Sequence, residues 1–551
     1  MEFTSSCVPT SSSSHILHSS SLLLLFGTET GTAESLAYKL GNELRGRGMD
    51  CRVCGMDEYD VTDLPNERNV VMIVATAGDG ETPANMRSFW RFLLNRALPA
   101  DSLSRLTVGV FGLGDSSYDK FNAAARRLSV RLKQLGAKHC VPLGLGDDQA
   151  AYGYYMAWND WIAAYLTAIA ASVSAPMLEL QAGSVHERAH EYSIARHTLA
   201  HTDTDTDTGL NAAFYNMARP PGPLLLGAAA GAVLQGRLVE NTRLTTQEWH
   251  QDVRHLRICI DSGIMRVRRE SDSAAGDWFR GGDVAVVYPN NSNELVEAAL
   301  AIVLAAEPDL TPDMPLYITH NSHARTPHRR TRLPTPTTTT CRALLTSLLD
   351  IGGVPHRPFF EELAAYALDN DEREKLDELG SAKGTDLYFD YCVREKKSYV
   401  ECLGEFPSAR PPLVALLELI PILQPRQFSI ANSSVVNPTH IDLCVGLLQR
   451  RTPYGRTRTG VCSGHLCKLS PGADVRLWLR RGTFRKPALE VPLILVGPGT
   501  GVAPMRALLL ERIAMSLAKG ISDGGDDGAA ASMNVLLFYG CRKQDSDFLY
   551  R

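Results

Sequence analysis

No apolar run in this 551-residue sequence is long enough to span a membrane. Residues 22–26 are far too few, and the stretch 223–233 is broken by Gly227 and Gly231. No large excess of either charge is present: the net charge is -5, which gives no support for broad nucleic-acid binding. The 12 cysteines lack a repeating pair pattern. Cys51 and Cys54 form one C-x-x-C inside an alternating, strand-like run, and without a second such pair they do not make a metal site. Scattered thiols suit a reducing compartment rather than a disulfide-built secreted fold, so a cytoplasmic location is expected. Arginine is missing from the serine-rich first 21 residues, which carry His15 and His18. That argues against a mitochondrial leader, leaves a plastid one open, and reads most simply as a disordered tail over residues 1–20. What remains, 44% apolar and 21% charged, is the profile of a globular protein, and the length implies roughly three or four domains.

The first pattern is an alternation of strands and helices. Leu22-Leu23-Leu24-Leu25-Phe26 is continuously apolar and bounded by Gly27, as in a buried parallel strand. Thr28-Glu29-Thr30-Gly31-Thr32-Ala33 follows, and Leu36, Leu40 and Leu44 then fall at helical spacing. Strand, hydroxyl-rich turn and helix N-terminus predict a phosphate site built from backbone amides and threonine hydroxyls. No Gly-Lys-Ser/Thr follows, so the turn is not a P-loop and points to a monophosphate, an ordinary capped helix being the alternative. A second strand, 70–74, ends in Ala75-Thr76-Ala77-Gly78-Asp79-Gly80. A third, 106–111, ends in Gly112-Leu113-Gly114-Asp115-Ser116-Ser117-Tyr118-Asp119-Lys120-Phe121-Asn122. Helical spacing separates them, which implies a parallel doubly wound sheet with ligands bound beyond the strand ends, where all three loops lie.

Further on, residues 236–240, 254–260 and 282–289 read as short antiparallel strands of a barrel, and 294–417 is largely helical. Arg426-Gln427-Phe428-Ser429 reads as a strand delivering a cation, an aromatic face and a hydroxyl. Arginine can hold a pyrophosphate through paired charge-assisted hydrogen bonds, and Phe428 shares its face of the strand. Ser429 joins them only if the strand ends or bends there. The set suits a flavin dinucleotide, and an ordinary core strand is the alternative. Gly460-Val461-Cys462-Ser463 comes 34 positions later (460 minus 426) as a glycine-led turn. Residues 492–496 read as a buried strand, followed by Gly497-Pro498-Gly499-Thr500-Gly501 opening a helix, a nicotinamide pyrophosphate site by its context.

Together these motifs resemble the NADPH-dependent diflavin oxidoreductases. The resemblance implies a multidomain fold: an α/β flavodoxin-like domain at 21–170, a linker at 171–230, an antiparallel β-barrel FAD domain with a helical insert at 231–486, and a partial α/β nicotinamide-binding domain at 487–551. It implies FMN, FAD and NADPH as cofactors, with hydride passing to FAD and electrons then passing to FMN and a protein acceptor. In the FMN domain, Thr28 to Ala33 would cradle the phosphate, and the runs Ala75 to Gly78 and Leu113 to Asn122 would border the flavin. Tyr118 would stack on the ring, and Asn122 and Asp148 would lie by the ribityl or ring. Ala77 stands where many members have tyrosine, so one ring face would lack an aromatic cover. In the FAD domain, Arg426 and Gln427 would meet the pyrophosphate, Phe428 the ring, and Ser429 the reactive nitrogen. Gly460, Val461, Cys462 and the Ser463 hydroxyl would hold the pyrophosphate from the other side, and Lys396 would lie near the adenine. Gly499 and Thr500 would meet NADPH.

The cysteine-containing stretch 455–469 is most like the branch serving cytosolic iron–sulfur assembly, which implies an anamorsin-type iron–sulfur partner, without nucleic acid or membrane. Sulfite and cobalamin reductases are the rival members, and a flavin-binding module without NADPH-driven activity is the rival of another class. The family's 2′-phosphate, nicotinamide-side and terminal aromatic residues would fall after Arg551, so the expectation is slow or absent flavin bleaching by NADPH. The polar stretch 181–222, with Thr-Asp repeats at 202–208, reads as a hinge or a low-complexity insertion. Residues 320–340, basic then threonine-rich, read as a solvated loop, a regulatory patch being the alternative.

Overall fold

Leu22–Gly27 is buried at every position, which a strand achieves only in a sheet covered on both faces. In the computed structural model it is the second strand in the order Cys51–Gly55, Leu22–Gly27, Asn69–Ala75, Thr107–Gly114, Lys138–His139, all parallel. Gly144–Asp147 also pairs with Thr107–Gly114. Leu22, Leu24 and Phe26 pack on the helices Thr32–Gly46 and Tyr155–Ala170. Leu23 and Leu25 face the opposite layer, Arg87–Leu93 and Ala123–Gln134. The alternation along one strand thus feeds two cores, and the connecting loops gather at one end of the sheet. The residues described are 22–29, 31–46, 49, 51–150, 153–170, 192–196, 233–260, 278–320, 337–381, 383–484, 488–518 and 535–551. Thr30, the serine-rich tail and the Thr-Asp repeat lie outside them. The chain divides into two units, Met1–Ser184 and Val185–Arg551.

The second unit is built on an antiparallel six-stranded sheet in the order Arg426–Ser429, Val284–Val287, Asp474–Arg480, Leu234–Arg243, Val253–Ile260, His440–Gly446. Beyond its last strand pair, Ile430 bridges Leu443, so the two edges of the order meet. Inward residues such as Leu238, Ile258, Val287, Ile430 and Leu443 are fully buried in one cluster. A larger cluster joins the helical segments between Asn293–Ala306 and Leu413–Leu419.

Three expectations need correction. Tyr192–Arg196, inside the presumed linker, is a strand of a three-stranded sheet with Pro315–His320 and Thr337–Thr340. Thr337–Thr340, assigned above to a solvated loop, buries Thr337 and Thr339 on one face, as β-branched residues do on a pleated surface. The strand Leu493–Val496 exists but is not buried. Leu495 is covered, while Ile494 and Val496 stay exposed, because among the described residues its sheet has only one partner strand, Val535–Phe538. Among the described residues no helix is long and apolar enough to cross a membrane.

Candidate functional site

In the first unit, the turn between Leu22–Gly27 and Thr32–Gly46 is pinned by a residue the sequence motifs do not include. Asn85, buried, donates to Phe26 O at 3.2 Å and accepts from Thr28 N at 2.7 Å. Glu29 accepts from Ala84 N at 3.0 Å, and the Thr28 hydroxyl accepts from Gly31 N at 2.9 Å. Gly31 has φ +98° with open space where a side chain would stand. Thr32 and the buried Ala33 begin the helix, whose first amides have no intrahelical acceptor. The second loop is closed on itself by the reciprocal pair Ala77–Glu81 at 3.0 and 2.7 Å. Thr76 N ties it to Leu113 O at 2.9 Å, and Arg127 donates to Gly80 O. In this loop the Thr76 hydroxyl is buried without a partner, and Gly78, at φ +47°, faces open space. Ala75 is partly covered.

The third loop is held from the acidic side: Ser116 N donates to Asp147 at 2.9 Å and Asp148 N to Gly114 O at 2.9 Å. Ser117 donates its hydroxyl to Asp115 at 2.6 Å, which keeps that carboxyl below its ordinary range. Tyr118 is 65% exposed, free to present its ring, with Asp119, Lys120 and the Asp148 side chain also at the surface. Asn122 is fully buried at φ 53°, donates to Gly146 O at 3.0 Å, and sits where side chains on Gly112 or Gly114 would clash. It supports the loop through its amide nitrogen, and its Oδ1 is buried without a partner. A strand-end cluster with an orphaned hydroxyl, side-chain-free turns and an exposed aromatic fits a flavin mononucleotide.

In the second unit, the strand Arg426–Ser429 stops at Ser429, the condition on which its three groups converge. It pairs with Val284–Val287 so that Phe428 opposes Ala285 and Ser429 opposes Val284. Arg426 and Gln427 are exposed, whereas Phe428 and Ser429 are half-buried, Phe428 packing partly on the core. Arg426 donates to Gln424 O at 2.6 Å. Its charge reaches Cys462, whose thiol burial pushes up to about 12 against that field. It also reaches Asp350, raised by burial. Gly460-Val461-Cys462-Ser463 is not a turn, however: Gly460 caps the helix Val461–Lys468, whose first amides have no intrahelical acceptor. The Ser463 hydroxyl is already engaged, accepting from Leu448 N at 3.1 Å and donating to Gly460 O at 3.3 Å. It braces the helix start.

Lys396 has φ 50° and lies between two braced neighbours. Glu395, buried, accepts from the Thr452 hydroxyl at 2.9 Å, Tyr454 N at 3.1 Å and Arg456 Nε at 3.3 Å. Glu401 pairs with Arg456 and Arg458. These contacts lock the hairpin Gln449–Arg451/Thr457–Thr459, which leads into Gly460, onto the helical insert. A cleft of about 600 Å³ opens beside it, lined by residues including Ser292, Ser398, Thr459, Gly460, Val461 and His465. An exposed cation and a half-buried ring on one strand, in the unit that holds the helix start at Gly460, fit a dinucleotide flavin.

The glycine-rich turn precedes the helix Val502–Ala518. Gly499 has φ +53° and open space in place of a side chain, although its amide is used on Gly540 O at 2.9 Å. Thr500 is exposed and lies close to Gly446, at the end of His440–Gly446. Residues absent from the motifs, such as Asn85, Glu395, Asp442 and Arg506, hold these parts in place. Asn85, Asp442 and Arg506 are polar residues amid apolar neighbours, whereas Glu395 stands between Arg394 and Lys396 and carries no such signal.

Family comparison agrees with this geometry. A flavodoxin family model matches residues 24–161, and an FAD binding domain model matches 238–465. NADPH-dependent diflavin oxidoreductase 1 of Bos taurus is 36% identical over 540 residues, 97% of this chain and 83% of the relative. The Arabidopsis thaliana protein of the same name is 31% identical over 539 residues, 96% and 82% of the two chains. NADPH–cytochrome P450 reductase of Sus scrofa is 30% identical over 557 residues, 96% of this chain and 73% of the relative.

Proposed function

The chain belongs to the NADPH-dependent diflavin oxidoreductases, with FMN, FAD and NADPH as cofactors, and we propose that it delivers electrons to an iron–sulfur protein of the anamorsin type in cytosolic iron–sulfur assembly. The observation that carries the reading is that the strand Arg426–Ser429 ends at Ser429 with Phe428 packed on the cluster that holds Cys462 and Leu466 of the helix Val461–Lys468, in the unit that also holds the glycine-rich helix start. The cofactors supply the redox chemistry, a hydride accepted from NADPH and electrons released singly. The protein's part is binding, orientation and electrostatics.

On this reading the meeting edges of the six-stranded sheet make a barrel. Arg426 and the amides of Val461 to Ser463 neutralise the FAD pyrophosphate from two sides. Phe428 covers one ring face, and Ser429 stands at the strand end beside the reacting edge. In the other unit, Thr28, Thr32 and neighbouring amides hold the FMN phosphate, Thr76 gives its spare hydroxyl, and Tyr118 covers the ring. Residues 487–551 supply the start of the nicotinamide site through Gly499 and Thr500. The greater identity to diflavin oxidoreductase 1 than to cytochrome P450 reductase supports the iron–sulfur branch and a cytoplasmic setting.

The test begins with purified protein. Bound FMN and FAD near one to one are expected, with bleaching on anaerobic addition of NADPH and reoxidation by the oxidised iron–sulfur acceptor. Protein that binds no flavin overturns the whole reading. Bound flavin untouched by NADPH removes the reductase, and bleached flavin that ignores the iron–sulfur protein removes that acceptor.

A further inference from the structure

Arg506 lies on the first turns of Val502–Ala518, yet its side chain leaves that helix for the flavin strand. Its Nη1 donates to Ala431 O at 2.6 Å, two residues beyond Ser429. The guanidinium is also 3.7 Å from Asp442 Oδ2 and 4.7 Å from the Tyr550 ring centre. Asp442 does not depend on it for neutralisation. Arg257 holds the same carboxylate with two bonds, 2.9 and 3.2 Å. The Asp442 backbone is placed independently, its amide on Asn432 at 2.9 Å and its carbonyl accepting from Ala431 N at 2.8 Å. Removing Arg506 therefore leaves no buried charge unpaired. What it removes is a directed bond between the helix that follows the glycine-rich turn and the segment that follows Ser429.

A second tie fixes the same helix further along. Glu511 accepts from Gly281 N at 2.6 Å, and a side chain at Gly281 would meet Leu508 N at 2.9 Å. That loop leads to Asp283, whose carbonyl accepts from Ile430 N at 3.0 Å. The helix is thus fastened to both chain segments flanking Ser429 and Ile430, with Arg506 the tie nearer the turn.

We propose that Arg506 is a positioning residue for hydride delivery: it sets the separation between the Gly497–Gly501 turn and the Ser429 end of the flavin strand. The inference rests on the reading that this turn holds the nicotinamide nucleotide. Reacting atoms must approach closely, and a misplacement of about 1 Å from outside the chemistry costs about 10²-fold in rate.

The experiment uses the full chain loaded with both flavins, as wild type, Arg506→Met and Arg506→Lys. Arg506→Met should keep its flavin content and NADP⁺ affinity, with a lowered urea midpoint because the buried Ala431 carbonyl loses its donor, while anaerobic reduction by NADPH slows by about 10- to 100-fold. Arg506→Lys, which retains a donor, should recover part of the rate. Amide exchange should rise in Arg506→Met at 497–505 and at 429–434 together, a readout that needs no turnover. Wild-type reduction rates in Arg506→Met, or slowing that tracks lost FAD, would overturn the proposal. If the wild type itself resists NADPH, the nicotinamide reading fails, and unchanged exchange in Arg506→Met would then sink the tie separately.

Discussion

Asn85 shows how much of a ligand site rests on a residue that meets no motif. One amide side chain shares the Phe26 carbonyl with Met56 N and accepts from the first amide of the turn after the strand. Asn85→Ala leaves Thr28 N without that acceptor, a loss of about 1–3 kcal/mol, while Phe26 O keeps Met56 N. The expected outcome is protein that purifies with FAD but little FMN, read from the flavin ratio after gel filtration; an unchanged ratio would dismiss the role. Motif reading singles out Thr28, Gly31, Thr76 and Tyr118 because hydroxyls, glycines and an aromatic at strand ends announce themselves by type and place. Residue type says that a polar group needs a partner, but not whether that partner is ligand or backbone: backbone engages the Ser463 hydroxyl and the Asn122 amide nitrogen, whereas Asn122 Oδ1 stays unpartnered.

The helix Val461–Lys468 gathers several of these dependencies in one element. Its N-terminus carries the proposed anion site, and its fifth residue, His465, is held neutral: burial, aided by Arg476, lowers it from 6.5 to about 4. Between those two values the unfolded chain binds a proton that the folded helix refuses. Stability from this group is therefore complete above pH 6.5 and is lost as pH falls toward about 4. His465→Gln should flatten that part of the pH dependence, measured as the difference in urea midpoints, and should lessen FAD release on acidification. The element's other support is the hairpin before it. Glu395→Ala removes the acceptor of Arg456, Thr452 and Tyr454 at once. Three donors then lose their shared acceptor, Arg456 alone keeping a second carboxylate in Glu401. FAD affinity should fall while FMN is retained; equal loss of both would show general unfolding instead. Elements of this kind were legible where period and punctuation agreed, as at Leu22–Gly27 and the helix Ala123–Gln134. Thr337–Thr340 was not, because a run of threonines has no apolar alternation and its burial is conferred by Pro315–His320 beside it.

At the scale of the whole chain, the two units have separate cores, and each flavin's groups lie within one of them. Residues from Leu22 to Ile169 fill the cores of the first unit. Those from Tyr192 to Leu549 fill the cores of the second. The order of domains was legible because each carries its own period, parallel runs first and alternating strands later. The boundary was not, since Tyr192–Arg196 joins the second unit from within a polar stretch whose composition gives no sign of it. Separate cores with separate ligands imply separate cooperativity. A ligand that binds only the folded form stabilises it by about 2.7 kcal/mol at one hundred times its dissociation constant. Calorimetry of flavin-stripped protein should then show two transitions, added FMN raising one and added FAD the other. Asn85→Ala should weaken the first response alone, and Glu395→Ala the second. A single transition shifted by either flavin would mean that the units unfold as one, so that a change at one flavin site is felt at the other through the fold itself.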